Sequence, residues 1–222
     1  MIQIRELYGE FRTVVTGQTV DAILPPLVFM FINGTYGLNR AILGSLGLAV
    51  LLWVIRILRG QTWYYALGGL GAVALASGLS YVSRSATSYF IPGLISNGTM
   101  FLVALTSLAL GKPLIALVSH VTRGWPLEWF WRHDVQPAYA EVTWVWGGLF
   151  LTRLVVQWGL FVRGDVVGLA WASVLLGWPL TVAVLVFTYL YGIHRLRTLG
   201  GPGIDEFRAG KKPPWRGQVK GF

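Results

Sequence analysis

The sequence predicts an all-α membrane protein, a bundle of about six transmembrane helices with both termini in the cytoplasm. Three observations lead to this prediction. Charged residues make up only 12% of the 222 residues, about half the share in a soluble domain, and hydrophobic residues make up 55%. The apolar residues fall into stretches of about the length that crosses a bilayer. Lys and Arg are distributed unevenly between the segments that join these stretches.

Six apolar stretches define the predicted spans: 20–36, 38–58, 63–82, 90–110, 139–162 and 166–191. They form one transmembrane domain, residues 20–199, between a cytoplasmic N-terminal segment (1–19) and a C-terminal tail (200–222). The first stretch is short and contains Pro25–Pro26, so a re-entrant hairpin is the alternative to a full crossing.

The positions of the basic residues predict the orientation. With six spans, fourteen of the 18 Lys and Arg residues fall on the side of the two termini. Only Arg40, Arg84 and Arg163 fall on the other side, and Arg153 lies within the fifth span. Because Lys and Arg collect on the cytoplasmic side, both termini are predicted to be cytoplasmic in a bacterial inner membrane.

Two segments outside the spans have a distinct composition. Residues 124–134 are rich in Trp and mixed charge, which is typical of an anchoring loop at the membrane surface. A docking loop for a partner is the alternative. The tail is rich in Gly, Pro and Lys, which predicts a flexible basic segment that lies against anionic lipid headgroups.

Small residues recur every fourth position in the third span, at Gly68, Ala72, Ala76 and Ser80. Such a stripe lets two helices approach closely in lipid. It predicts packing against a neighbouring span, with homodimerisation as the alternative.

A polar cluster is predicted inside the membrane. Arg153 and Gln157 lie one turn apart on the fifth span, and Asn97 on the fourth span is a candidate partner. Ionisable groups are costly in a bilayer and need a reason to be there. The cluster is interpreted as interhelical hydrogen bonding, or as part of a path for a solute or proton.

No catalytic, cofactor or metal site is predicted. There is no cysteine, and none of the three histidines is placed mid-membrane. Recognisable nucleotide-binding, metalloprotease and hydrolase motifs are missing. The net charge of +9 is assigned to lipid and topology, so nucleic acid is not expected as a partner.

Several short motifs resemble a known family. They include Asp21, Pro25, Arg56 and Pro92, followed by Lys112 and Pro113 in a Gly-Lys-Pro-Leu-Ile turn. Their order resembles the bacterial intracellular septation protein A family, and more closely its longer, uncharacterised relatives. The resemblance implies a protein of the cell envelope without an established enzymatic activity.

These features favour a non-enzymatic scaffold or interaction protein of the cell envelope, with a membrane-protein partner or a second copy of itself. One alternative is a small-solute or ion transporter or channel, which the polar cluster motivates. Another is an accessory subunit of a larger membrane complex.

Overall fold

The computed structural model describes residues 18–58, 63–218 and 221–222, and the side chains of residues 23–58, 67–218 and 221–222. Most of the described residues are helical, and none of them lies in a strand. The α-helices, numbered in chain order, are α1 Gln18–Tyr36, α2 Leu38–Leu58, α3 Trp63–Ser83, α4 Ile91–Ala109, α5 Leu114–Arg123, α6 Leu127–Phe130, α7 Gln136–Val162, α8 Val166–Leu175, α9 Trp178–Leu199 and α10 Ile204–Arg208. A 3₁₀ turn, Thr87–Phe90, precedes α4. Most of the predicted N-terminal segment (1–19) lies outside the described residues.

Four helical stretches of the described chain are long and apolar enough to cross a membrane. They are Leu38–Leu58, Thr87–Ala109, Gln136–Val162 and Val166–Leu199. Only 11% to 22% of their most apolar windows is buried inside the protein, so most of this apolar surface faces outward. Outward apolar surface on this scale indicates a membrane protein. The described parts of α1 and α3 are shorter apolar helices, Ile23–Tyr36 and Leu67–Ser83, so the count of six spans stays a prediction.

The sixth predicted span, 166–191, is two helices in the structure. The break lies at Leu176–Gly177, between α8 and α9, and α9 continues to Leu199. A Cβ at Gly177 would collide with the Ser173 carbonyl oxygen, so the break needs glycine. Pro179 is accepted in the first turn of α9 because the early N–H groups of a helix have no intrahelical partner.

The chain divides into two compact units. Unit 1 comprises Met1–Ile95 and Val155–Leu180, and unit 2 comprises Ser96–Leu154 and Thr181–Phe222. In unit 1, α1 and α2 form a tight hairpin whose single linking residue, Gly37, has a φ of +82°. This left-handed conformation favours glycine. The hairpin and α8 pack around Phe29, which is completely buried and stacks on Tyr89 with ring centroids 4.0 Å apart.

The aromatic side chains of segment 124–134 form part of the core of unit 2, which corrects the prediction of an anchoring loop at the membrane surface, whereas the docking loop stays a prediction. Trp129 and Phe130 are completely buried and Trp125 is 7% exposed. Their rings make edge and stacking contacts with one another and with Tyr139. Rings buried within their own chain cannot anchor it among lipid headgroups, whereas Glu128 and His133 of the same segment are exposed. The physical reason is that α7 and the C-terminal segment cover the rings.

The tail, which the sequence predicts to be flexible, packs against the aromatic core of unit 2 through its described residues. Ile204 is 2% exposed, and the ring of Phe222 stacks on Tyr139 with centroids 4.3 Å apart. The indole nitrogen of Trp129 donates a hydrogen bond to the Pro202 carbonyl oxygen at 2.9 Å. Ile204 and Phe222 are too few apolar side chains for the tail to fold alone, but they can hold it against an aromatic surface that the rest of unit 2 forms.

Candidate ligand-binding cavity

Unit 1 contains a cavity of about 450 Å³ that is open to the surface. Its walls are mostly prolines, small residues and apolar side chains. The lining residues are Pro25, Pro26, Gly68, Gly69, Ala72, Val73, Ala76, Phe90, Pro92 and Gly93, together with the polar residues Arg56, Tyr89, Gln157 and Ser173. A mostly apolar cavity of this size with a few polar groups is typical of a site for a small ligand.

The small-residue stripe of α3 forms one wall of this cavity. Gly68 and Ala72 line it and are exposed, whereas Ala76 is 6% exposed and Ser80 is completely buried. The stripe therefore has two roles in the structure: its second half packs, and its first half leaves space. Below the cavity, the hydroxyl of Ser77 on α3 lies 3.4 Å from that of Ser45 on α2, which fixes the two helices against each other.

Arg56 supplies the positive charge of the cavity wall. It lies in the last turn of α2 and is 9% exposed, so its guanidinium is largely shielded from solvent. Within the described residues, no group of three or more His, Asp or Glu side chains lies close enough to hold a metal ion. The described polar groups of the cavity suit an organic or anionic ligand.

Gln157 and Ser173 contribute neutral polar groups. The Gln157 side-chain amide donates to the Ser173 hydroxyl at 3.4 Å, and that hydroxyl donates to the Leu169 carbonyl oxygen at 2.8 Å. The link joins α7 to α8 within unit 1. The sequence contained a signal for Ser173, since a hydroxyl within an otherwise apolar helix is a candidate hydrogen-bonding group.

The predicted polar cluster of Asn97, Arg153 and Gln157 stays a prediction. Asn97 and Arg153 belong to unit 2, whereas Gln157 belongs to unit 1 and lines its cavity. Within unit 2, the guanidinium of Arg153 donates a hydrogen bond to the hydroxyl of Thr181 on α9. Sequence reasoning did not identify Thr181, although its hydroxyl also lies in an apolar helix.

Three of the six positions that carry the family resemblance line the cavity. They are Pro25, Arg56 and Pro92. Pro113 is buried at the start of α5, and Lys112 beside it is exposed. The side chain of Asp21 lies outside the described residues.

Two ion pairs lie among the described residues of unit 2. The Arg195 guanidinium holds the Glu141 carboxylate through both oxygens, and the Tyr191 hydroxyl donates to the same carboxylate at 2.6 Å. Arg132 pairs with Asp134 at 2.7 Å. Burial alone raises the pKa of Asp134, but the hydrogen bonds and charge of Arg132 outweigh it and hold the pKa below its usual value.

Glu206 organises the C-terminal segment through backbone contacts. Its carboxylate accepts hydrogen bonds from the backbone N–H groups of Arg216, Gly203 and Gly217 at 2.8, 3.0 and 3.2 Å. These bonds stabilise the charged form, so the pKa of Glu206 is lowered. The chain around it is thereby held in a loop.

Comparison with known proteins identifies one family. Residues 15–197 match the family model described as protein of unknown function (DUF3159). No curated protein and no solved structure shows a match.

Proposed function

We propose that this chain, which belongs to the family of unknown function DUF3159, is a membrane protein that binds a small organic ligand in the cavity of unit 1. The observation that carries the proposal is the cavity itself, about 450 Å³ with apolar walls and the buried Arg56. Sites for small ligands occupy about 300–1,000 Å³ and combine apolar walls with a few polar groups.

The burial of the aromatic segment weakens one of the motivations for a scaffold. The scaffold hypothesis was motivated by the packing stripe, by the missing catalytic motifs and by the aromatic segment 124–134, and the rings of that segment are buried in unit 2. A scaffold role through other surfaces and an accessory role in a larger complex stay predictions. The same is true of a homo-oligomer and of the expectation that the chain is not an enzyme.

Transport is the second candidate, because a cavity among apolar helices can deliver its ligand as well as hold it. Arg153 and its hydroxyl partner Thr181 are the observation that favours it, since they place a charge within a candidate span. Saturable uptake by vesicles containing the purified protein, weakened by Arg153→Leu, is the expected result. Equal uptake by protein-free vesicles would contradict transport.

The membrane topology of this proposal is the one predicted from the sequence. It has six spans, both termini in the cytoplasm and a location in a bacterial inner membrane. The excess of Lys and Arg on one side of the spans supports the orientation. A relation to the septation family, and with it a role in the cell envelope, remains a prediction.

Filling the cavity tests ligand binding. Ala72→Phe places a large ring in the cavity, whereas Ala74→Phe makes the same change on the same helix at an exposed position that does not line it. Each protein is purified in mild detergent and analysed by native mass spectrometry. We expect a retained small molecule on the wild type and on Ala74→Phe, and its loss from Ala72→Phe.

Two results would contradict the proposal. One is an equal amount of the same retained molecule on both variants, because the cavity would then not hold it. The other is a wild-type protein without any retained molecule after extraction at the lowest detergent concentration that keeps it soluble. Thermal unfolding of both variants shows whether Ala72→Phe is folded.

A further inference from the structure

We propose that the ligand of this cavity is an anionic phospholipid from the surrounding bilayer, with its phosphate at Arg56 and its acyl chain along α3. This inference rests on the proposed function and specifies the ligand class. Three features of unit 1 carry it: the two ends of the cavity differ in charge, its mouth is apolar, and its described lining residues include no acidic side chain.

The charged end and the uncharged end of the cavity are separated along the α2–α3 hairpin. Ser45 contacts Ser77, which sets the register of these neighbouring antiparallel helices. Arg56 follows Ser45 by eleven residues, about 16 Å at 1.5 Å per residue, and therefore lies at the level of the first turns of α3, near Gly68. The cavity continues from there to Ala76, about 12 Å further along α3. The end near Ala76 has no charged side chain among its described lining residues, and its polar groups, such as the Tyr89 hydroxyl, are neutral, so the part of a ligand that lies there is uncharged.

The mouth of the cavity is bordered by apolar surface. Gly68 and Ala72 line the cavity and are exposed, so the cavity is open along this face of α3. Leu75 is a surface neighbour of Ala72 three residues on, and it is 58% exposed. In a membrane such a surface faces acyl chains, so the ligand enters from lipid.

The chemistry of Arg56 suits a phosphate. A guanidinium carries five N–H donors in a planar fork, so it can hold a protein group and a phosphate oxygen at the same time. Its contacts with phosphate are frequently bidentate and charge-assisted. The 9% exposure of Arg56 strengthens such a contact, because little water competes for it.

The test compares two lipids that differ in headgroup charge. Delipidated full-length protein is titrated with phosphatidylglycerol or phosphatidylcholine of the same acyl chains, and bound lipid is counted by native mass spectrometry. Both lipids carry the phosphate, but the choline cation of phosphatidylcholine would lie close to the Arg56 guanidinium and be repelled by it, so we expect phosphatidylglycerol to bind tighter by about tenfold. Arg56→Gln removes this preference. Arg40→Gln, which changes an exposed arginine of the same helix, keeps it.

The Ala72→Phe variant separates failure of this inference from failure of the proposed function. If the wild type binds the two lipids with equal affinity and Ala72→Phe binds neither, the anionic preference is overturned, but the proposal that the cavity binds a ligand stands. Unchanged binding of both lipids to Ala72→Phe would overturn both proposals. Displacement of phosphatidylglycerol by inorganic phosphate alone would show that the site takes a free anion, and would also overturn the lipid assignment.

Discussion

Replacing Trp129 by alanine tests whether the aromatic segment 124–134 is the core of unit 2. The side chain is completely buried and its indole nitrogen donates to the Pro202 carbonyl oxygen. Truncating a buried Trp to Ala costs about 3–5 kcal/mol of unfolding free energy. In a chain of this size, each kcal/mol lowers the melting temperature by about 2–4 °C, so we expect a decrease of about 6–20 °C.

Two further variants separate the contributions to this effect. Trp129→Phe keeps an aromatic ring but leaves the Pro202 carbonyl without its donor, which costs about 1–3 kcal/mol. Trp144→Ala removes the same side chain from a position of unit 2 that is 57% exposed, and we expect a change within about 0.5 kcal/mol. The assay is thermal unfolding in detergent, followed by near-ultraviolet circular dichroism.

The order of the three melting temperatures decides the result. The packing of unit 2 predicts that Trp129→Ala unfolds first, Trp129→Phe next and Trp144→Ala with the wild type. Equal melting temperatures for Trp129→Ala and Trp144→Ala would refute the assignment of Trp129 to a core. The segment would then be a surface anchor, as its composition alone predicts.

Three other changes have defined outcomes. Because the pKa of Asp134 is lowered in the folded state, its contribution to stability is present above its unfolded value of about 3.9 and is lost as the pH falls through the folded pKa. The melting temperature of the wild type should therefore fall at acidic pH more than that of Asp134→Asn. The same pH profile for both proteins would contradict the ion pair. Glu206→Gln weakens three backbone contacts, so trypsin should cut the C-terminal segment faster than in the wild type or in Glu128→Gln, an exposed control. The hydroxyl of Ser80 is buried with no hydrogen-bond partner among the described residues, so Ser80→Ala should leave the stability unchanged or raise it by about 1 kcal/mol. Ser77→Ala should lower the stability, because the Ser77 hydroxyl contacts that of Ser45. Chemical denaturation in detergent measures both variants, and the reverse order would show that Ser80 is paired.

The helices of this protein could be predicted from the sequence because their cause is local. Each apolar stretch is long, and within it the backbone satisfies its hydrogen bonds internally, which a helix does without help from distant residues. Predicted and observed boundaries of the second helix coincide at Leu38 and Leu58. The break at Gly177 was not predicted, because hydropathy does not register a turn formed by small residues within an apolar stretch.

The fate of the aromatic segment could not be predicted in the same way. A Trp-rich stretch beside a membrane has the same composition whether its rings face headgroups or a protein core. Only the packing of Tyr139, Ile204 and Phe222 against Trp129 decides between them. These contacts join residues far apart in the chain, and no local pattern encodes them.

The candidate site shows the same division. The sequence alone determined the chemical character of its parts: a basic residue at the end of α2, a proline pair in α1 and a small-residue stripe in α3. It could not place Arg56, Pro25 and Pro92 around one cavity, since the three lie on different helices. The tertiary structure alone decided that half of the stripe packs and half stays open, because a small side chain permits close approach and the neighbouring helices determine where that approach occurs.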